Sequence, residues 1–305
     1  MFDVIIIGGG PAGITAGIYT IRKKLNTLVI SKDFLGQTGK ALGIENWPGD
    51  KKISGVKLLE NFRKHLGKFK VNINEGEEVT SVKKKKDCFE LRTSEKDKYF
   101  AKSVIIATGA NPRILSVKGE KKFIGKGVSY CATCDAPFFK DKTVCVIGGG
   151  NAGLETAIEL LKYSKKIYLL EFSKELKGAE ILQEQVRKNK KIEVITQAAV
   201  KEIKGDKFVK SIVYSDLKSK KKKEIKTDGV FVQIGHVPVA GFIKNLVDLN
   251  ERNEIKINKV NNQTKTAGLF AAGDVTDIPF KQIVIAAGEG AKAALSCYNY
   301  LKKLD

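Results

Sequence analysis

A short apolar strand, a glycine-rich turn and a helix, written twice in one chain of 305 residues, predict an α/β fold. The two copies imply two nucleotide-binding domains. A third junction, a strand ending at glycine and a carboxylate near the C-terminus, is needed by neither copy and implies that one domain is interrupted by the other.

Residues 2–7 (FDVIII) form a β-branched run that ends in Gly8-Gly9-Gly10-Pro11-Ala12-Gly13, and a helical pattern follows from Ile14 to Lys24. A second strand, Asn26–Ile30, completes a βαβ unit. The later copy reads Thr143–Ile147, then Gly148-Gly149-Gly150-Asn151-Ala152-Gly153, a helical stretch Leu154–Leu161 and a strand Lys166–Leu170. After the first unit come strand-like stretches 70–74, 77–84, 87–92 and 97–106, the last leading into Ala107-Thr108-Gly109. After the second come 192–195, 208–215 and Gly229–Ile234. Leu269–Asp274 (LFAAGD) and a helix Lys281–Lys302 close the chain. The simplest organisation is a discontinuous Rossmann-like domain, 1–112 with 246–305, that carries a second Rossmann-like domain, 113–245, as an insertion.

In such a turn the first glycine permits a tight bend, the second lets backbone approach pyrophosphate, and the third lets helix pack on strand; the phosphate rests at the helix N-terminus. Specificity comes from the end of the second strand, which meets the adenosine ribose. The offset of 23 residues from Gly148 to Glu171 falls, counted from Gly8, on Ser31. Glu171 accepts hydrogen bonds from a ribose 2′-OH and repels a 2′-phosphate, and Phe172 and Ser173 add no guanidinium. The second site therefore favours NADH over NADPH, although Lys174 and Lys177 lie close by in sequence.

Lys+Arg 55 against Asp+Glu 34 gives a net charge of +21, which raises nucleic acid as a partner. Only six of those cations are arginine, so bidentate forks to bases and phosphates are scarce. The runs Lys83–Lys86 and Lys220–Lys223 read as solvated turns between strands, without aromatics to stack bases. Specific nucleic-acid binding is not expected. No apolar run approaches the roughly 20 residues that span a bilayer, and the start MFDVIIIGGG lacks signal-peptide features. A cytoplasmic protein without membrane attachment is the expectation.

Five cysteines do not form a secreted disulfide framework. Cys131-Ala132-Thr133-Cys134 is a C-x-x-C followed directly by Asp135. A structural zinc would need two further ligands, yet no second C-x-x-C exists and the two histidines, His65 and His236, stand apart. No metal is expected. Two unrelated buried thiols are the bland alternative; a catalytic dithiol fits the spacing better, since one thiolate attacks an external disulfide while its neighbour exchanges electrons. Asp135 is then a local acid/base, or otherwise a turn cap. Cys88, Cys145 and Cys297 fall in apolar patterns and read as buried and inert. A nicotinamide and a disulfide each handle two electrons but do not normally react directly, so a flavin is the expected intermediary, and the first turn, with no carboxylate at the offset, is free to hold FAD.

The order of Gly8–Gly13, Ile44-Glu45-Asn46-Trp47-Pro48-Gly49, Ala107-Thr108-Gly109, Cys131–Asp135, Gly148–Gly153 and Gly273-Asp274 resembles the low-molecular-weight thioredoxin reductases, class II pyridine nucleotide-disulfide oxidoreductases. The resemblance runs through essentially the whole chain. It implies FAD held by Gly8, Gly10, Pro11, Ala12 and Gly13, with Ser31 and Lys32 at the strand end, Gln37 and Asn46 in the following segment, and Ala107, Thr108 and Gly109. A last group, Gly273, Asp274, Lys281, Gln282 and Ile283, completes that site. It implies a nicotinamide dinucleotide held by Gly148, Gly150, Asn151, Ala152, Gly153 and Glu171. Cys134 would face the flavin, Cys131 would exchange with the substrate disulfide, and Asp135 would protonate. The family is a homodimer whose NAD domain rotates, and its substrate is a thioredoxin-like protein disulfide.

Three departures stand out. Glu171-Phe172-Ser173 and Lys177 replace the His-Arg-Arg run and following Arg of NADPH-dependent members. The segments Leu170–Phe172, Phe231–Gly235 and Ala286–Gly290 are instead similar to the NADH-dependent flavoprotein subunit of alkyl hydroperoxide reductase. That protein has an N-terminal thioredoxin-like module for which there is no room ahead of Met1, so a separate thioredoxin- or glutaredoxin-like carrier is expected. Ala136-Pro137 replaces the more usual glycine after the active-site Asp. The function expected is an NADH-preferring disulfide reductase; the alternatives are an NADPH-specific thioredoxin reductase and a ferredoxin reductase or NAD(P)H oxidase on the same scaffold, for which the cysteines would be dispensable.

Overall fold

Val4–Ile7 is buried at every residue, as a strand is when both faces of a parallel sheet are covered. The computed structural model describes residues 1–41, 44, 46–130 and 132–304, with Lys40, Thr133 and Cys134 described by backbone alone. The chain divides into two compact units, Met1–Asn111 with Val237–Asp305, and Pro112–His236.

In the first unit Phe2–Ile7 pairs in parallel with Thr27–Ser31 on one side and Lys98–Ile106 on the other. Asn72–Glu75 extends the sheet past Thr27–Ser31, and Leu269–Ala271 pairs with the end of Lys98–Ile106. Alternation divides the strands between two cores. Val4 and Ile6 face one core with Val29, Ile105 and Phe270, while Ile5 and Ile7 face the other with Leu28, Ile30, Val104 and Leu269. Helices Pro11–Arg22, Gly55–Gly67 and Ile283–Leu301 close the first core. The second is closed by the antiparallel pair Val79–Lys84 and Phe89–Thr93 and by Ile243, Val247 and Ile255.

Gly55–Gly67 is not predicted by the sequence reading, because its charged residues dilute the apolar period to Leu58, Leu59 and Leu66. Its start is nonetheless marked: the Ser54 hydroxyl accepts the Lys57 N–H at 3.3 Å. The last helix lies close on the first, and a Cβ on Gly290 would stand 2.1 Å from the Ala12 carbonyl oxygen.

The second unit repeats the arrangement. Thr143–Ile147 lies between Lys166–Leu170 and Gly229–Val232, with Ile192–Ile195 and Val128–Ser129 at the edges, all parallel. Val144 and Val146 pack with Ile167, Leu169 and Phe231 beneath helices Asn151–Leu160 and Glu180–Lys188. Cys145 and Ile147 pack with Leu170, Val230 and Val232 against an antiparallel sheet of Ala198–Gly205, Val209–Asp216 and Lys222–Lys226. Lys222–Lys226 has one residue, Ile225, that is not exposed, so hydrophobic alternation does not reveal it as a strand. Both lysine runs are exposed and span hairpin turns.

The chain re-enters the first unit at Val237 rather than at 246. The reason is packing: Ala240, Ile243 and Val247 are buried in that unit's core. No helix among the described residues is long and apolar enough to cross a membrane.

Candidate functional site

Each glycine turn sits where its central strand ends and its two neighbours diverge, the switch point at which open α/β sheets bind ligands. The Gly8 N–H donates to the Ile30 carbonyl at 2.9 Å, and the Ala107 N–H donates to Ile7 at 2.8 Å. In the second unit Gly148 donates to Leu170 at 2.9 Å and Gln233 to Ile147 at 2.8 Å. Gly8 has φ +118° and Gly148 φ +117°, backbone that a side chain disfavours. A Cβ there would also meet a carbonyl oxygen, of Ala107 at 2.2 Å or of Gln233 at 2.1 Å.

The helix starts beyond these bends are open to an anion. Gly10 and Gly150 are the N-caps of Pro11–Arg22 and Asn151–Leu160; neither helix has a side-chain cap bond or an acidic residue in its first turn. A Cβ built on Gly10 or Gly150 meets nothing within 4 Å. That space and those free N–H groups suit a pyrophosphate. Ala12 and Gly13, and Ala152 and Gly153, continue each helix, and Gly13 and Gly153 let it press on the turn: a Cβ would lie 1.9 Å and 1.8 Å from the Gly8 and Gly148 carbonyl oxygens. Asn151 also accepts the Ala179 N–H on its side-chain oxygen at 2.7 Å, tying the loop after Glu171 to the helix start.

The strand ends differ. The Ser31 hydroxyl donates to the Asp33 carbonyl at 2.5 Å, and the following Lys32 is exposed. Glu171 is 8% exposed; one carboxylate oxygen accepts the Gly149 N–H at 2.5 Å and the other the Ser173 N–H at 2.7 Å. Each oxygen keeps a further lone pair. The negative charge is thus fixed beside the glycine turn, while Phe172 stands 66% exposed next to it.

The remaining residues of the expected FAD set all lie in the first unit. Asn46 donates from its amide to Gln282 at 3.0 Å, joining positions 236 residues apart. Gln37 leads into the short turn Thr38–Lys40. Thr108, between Ala107 and Gly109, donates from its hydroxyl to Val239 at 2.7 Å. Gly273 and Asp274 form a 3₁₀ turn, and Gln282 is the N-cap of the helix that begins at Ile283. Lys281 is occupied: it pairs with Glu254 at 2.9 Å and donates to the Thr276 carbonyl. No motif announces either partner: Glu254 is distant in sequence, and Thr276, five residues away, accepts through a backbone carbonyl.

Cys131 and Glu45 lie outside the described residues, as does the side chain of Cys134. Ala132–Asp135 is a single helical turn that runs into the 3₁₀ turn Ala136–Phe139. Asp135 is half-buried, and among the described residues its side chain makes no cap bond to that turn. Ala136 is fully buried without left-handed backbone, so the exchange of glycine for alanine is accommodated. Cys145 and Cys297 are buried, and burial pushes each thiol up to about 12. Cys88, expected to be buried, is partly exposed at the end of a lysine-rich turn.

One buried group was missed by the sequence reading altogether. Glu120 is 1% exposed and accepts the Tyr130 hydroxyl at 2.6 Å, one residue before Cys131. The contact spans ten residues and joins no motif, so no sequence pattern announces it.

Residues 2–290 match the model of the pyridine nucleotide-disulphide oxidoreductase family. The alkyl hydroperoxide reductase subunit designated F in Staphylococcus epidermidis is 40% identical over 300 residues, covering 98% of this chain and 59% of that protein. The Staphylococcus aureus counterpart gives the same figures, so the chain spans 59% of the length of these curated relatives. Among solved structures, thioredoxin reductase of Lactococcus lactis superposes with a TM-score of 0.93 at 36% identity, covering 99% of this chain and 100% of that one. Thioredoxin reductase of T. acidophilum gives 0.91 at 39%, covering 100% and 99%. With two matching glycine turns at two sheet switch points and a family match over residues 2–290, the chain belongs to the pyridine nucleotide-disulphide oxidoreductase family.

Proposed function

We propose that the protein is a flavin-dependent disulfide reductase that takes two electrons from NADH and delivers them, through FAD and the Cys131/Cys134 pair, to a thioredoxin- or glutaredoxin-like protein disulfide, acting as a homodimer. The observation that carries this reading is the pair of open glycine turns, one with a fixed carboxylate at its strand end and one without, in a chain that also bears a C-x-x-C. Bound FAD supplies the two-electron relay between hydride donor and dithiol.

The first turn, with Gly8, Gly10, Pro11, Ala12 and Gly13, would hold the FAD pyrophosphate, and the Asn46–Gln282 pair would line the same site. The second, with Gly148, Gly150, Asn151, Ala152 and Gly153, would hold the nicotinamide dinucleotide. Glu171 would accept the ribose hydroxyls and repel a 2′-phosphate, which favours NADH. At the dithiol, the Cys131 thiolate attacks one sulfur of the carrier disulfide, forming a mixed disulfide and releasing a thiolate that Asp135 protonates. Cys134 then attacks the Cys131 sulfur, freeing the second carrier thiol and leaving a Cys131–Cys134 disulfide. Two electrons and two protons restore the dithiol, so one NADH and one proton are consumed per carrier disulfide.

Replacing Cys131 by Ser tests this. Carrier reduction falls to background while anaerobic NADH still bleaches the flavin. Carrier turnover unchanged in Cys131→Ser would overturn the reading and leave an oxidase or ferredoxin reductase in its place.

A further inference from the structure

Glu120 is a buried carboxylate that the proposed chemistry does not use. Among the described residues its oxygens accept three hydrogen bonds: from the Leu115 N–H at 2.6 Å, the Ser116 N–H at 2.5 Å and the Tyr130 hydroxyl at 2.6 Å. Donors rather than a cation balance its charge among the described residues, and bonds of this charge-assisted kind are the strong ones. Ser116 has φ +61°, so two of the three bonds hold a turn in left-handed backbone.

The third bond leads towards the dithiol. Tyr130 is the residue before Cys131, and Val128–Ser129 just upstream is an edge strand of the second unit's sheet. Burial first, and the Glu120 carboxylate second, push the Tyr130 phenol above the usual tyrosine range, so the hydroxyl stays a donor at every pH where the enzyme works. The Tyr130 carbonyl takes a longer bond, 3.4 Å, from the Gln233 amide, and the backbone of Gln233 lies against Gly148. The segment entering the dithiol is thus fastened at its side chain to a buried anion and at its carbonyl to the strand end beside the second glycine turn.

We propose that Glu120 and Tyr130 are positioning residues for the dithiol: the buried carboxylate fixes Tyr130, and through the backbone steadies the chain that leads into the Ala132–Asp135 helical turn, which carries Cys134. The inference rests on the dithiol reading above. A generic structural role would loosen the 115–116 turn alone; a positioning role loosens the redox segment as well.

The test is peptide-resolved amide hydrogen exchange on the FAD-loaded full chain, wild type against Tyr130→Phe, with steady-state kinetics alongside. Loss of one hydrogen bond to a charged group predicts exchange about tenfold faster in residues 131–134, with Gly148–Gly153 unchanged. Misplacement of the reacting sulfurs predicts kcat for carrier reduction about tenfold lower, with the KM for NADH within about twofold of wild type. Glu120→Gln, which leaves one donor unmatched, gives the same split, and the double variant is no worse than the poorer single one because the two residues act as one unit. If Tyr130→Phe does not retain FAD, Glu120→Gln carries the test. Exchange in 131–134 within about twofold of wild type in the variant that folds would overturn the proposal. Cys131→Ser separates the two claims: carrier reduction that survives it sinks the dithiol reading, whereas its loss there with no effect of Tyr130→Phe or Glu120→Gln sinks the positioning role alone.

Discussion

The turns at Gly8 and Gly148 have nearly the same backbone, φ +118° and +117°, and each abuts a neighbouring strand's carbonyl oxygen, at 2.2 Å and 2.1 Å from where a Cβ would stand. Both lead into a helix without a side-chain cap. They part at the end of the second strand, where a serine hydroxyl donates to its own loop in one unit and a carboxylate accepts two backbone N–H groups in the other. They part again above the helix: in the first unit the Ile283–Leu301 helix lies against Ala12, whereas in the second the 178–179 loop packs on the helix start through Gly178 and Asn151. The shared backbone geometry is what a phosphate site requires, and on the proposed reading the few side chains that differ decide which dinucleotide each turn takes.

The sharpest way to break this comparison is to place one methyl group in each turn. Gly13→Ala and Gly153→Ala introduce a Cβ 1.9 Å and 1.8 Å from a backbone oxygen, which no rotamer relieves. The expected outcomes are opposite: Gly13→Ala purifies without flavin absorbance, while Gly153→Ala keeps the flavin but loses NADH-driven bleaching. A Gly153→Ala protein that lost its flavin while Gly13→Ala kept it would reverse the assignment.

A smaller effect concerns the thiols that pack the two sheets. Burial lifts Cys145 and Cys297 from the ordinary thiol value of 9.0 to about 12, so at pH 8 the iodoacetamide-labelled thiols of the native, reduced protein should be Cys88 and the dithiol. Mass mapping reads this directly, and native labelling at Cys145 would contradict its burial. The sign for stability is fixed too. Because the folded values are raised, the contribution of these thiols is complete below pH 9 and is lost as pH rises from there towards 12.

Much of this architecture was legible because it is written in local patterns. FDVIII and TVCVI announce buried parallel strands, and the glycine hexapeptides fix the bend and the helix start after each of them. The same 23-residue offset in both repeats locates the strand-end residue. What stayed hidden depends on contacts between distant positions. Lys222–Lys226 is a strand only because Val209–Asp216 pairs with it. Gly55–Gly67 is a helix whose apolar stripe is three leucines wide. The ties of Lys281 to Glu254, Thr108 to Val239 and Glu120 to Tyr130 join residues that no motif links. The chain's return at Val237 rather than 246 depends on Ala240 and Ile243, which carry no sign of which core they enter.

The net charge of +21, which first suggested nucleic acid, belongs to exposed lysines, many of them at hairpin turns or paired with carboxylates such as Lys204 with Glu224 and Lys223 with Asp216. Such exposed pairs contribute little to stability.

The division of nucleotides between the turns is tested most directly by kcat/KM for NADH and for NADPH, measured with the same disulfide carrier on the wild type and on Glu171→Ala. The carboxylate held at Gly149 predicts a wild-type preference for NADH that shrinks about tenfold or more in the variant, in line with the loss of hydrogen bonds to a charged group. A wild type that uses NADPH with the higher kcat/KM would contradict the account.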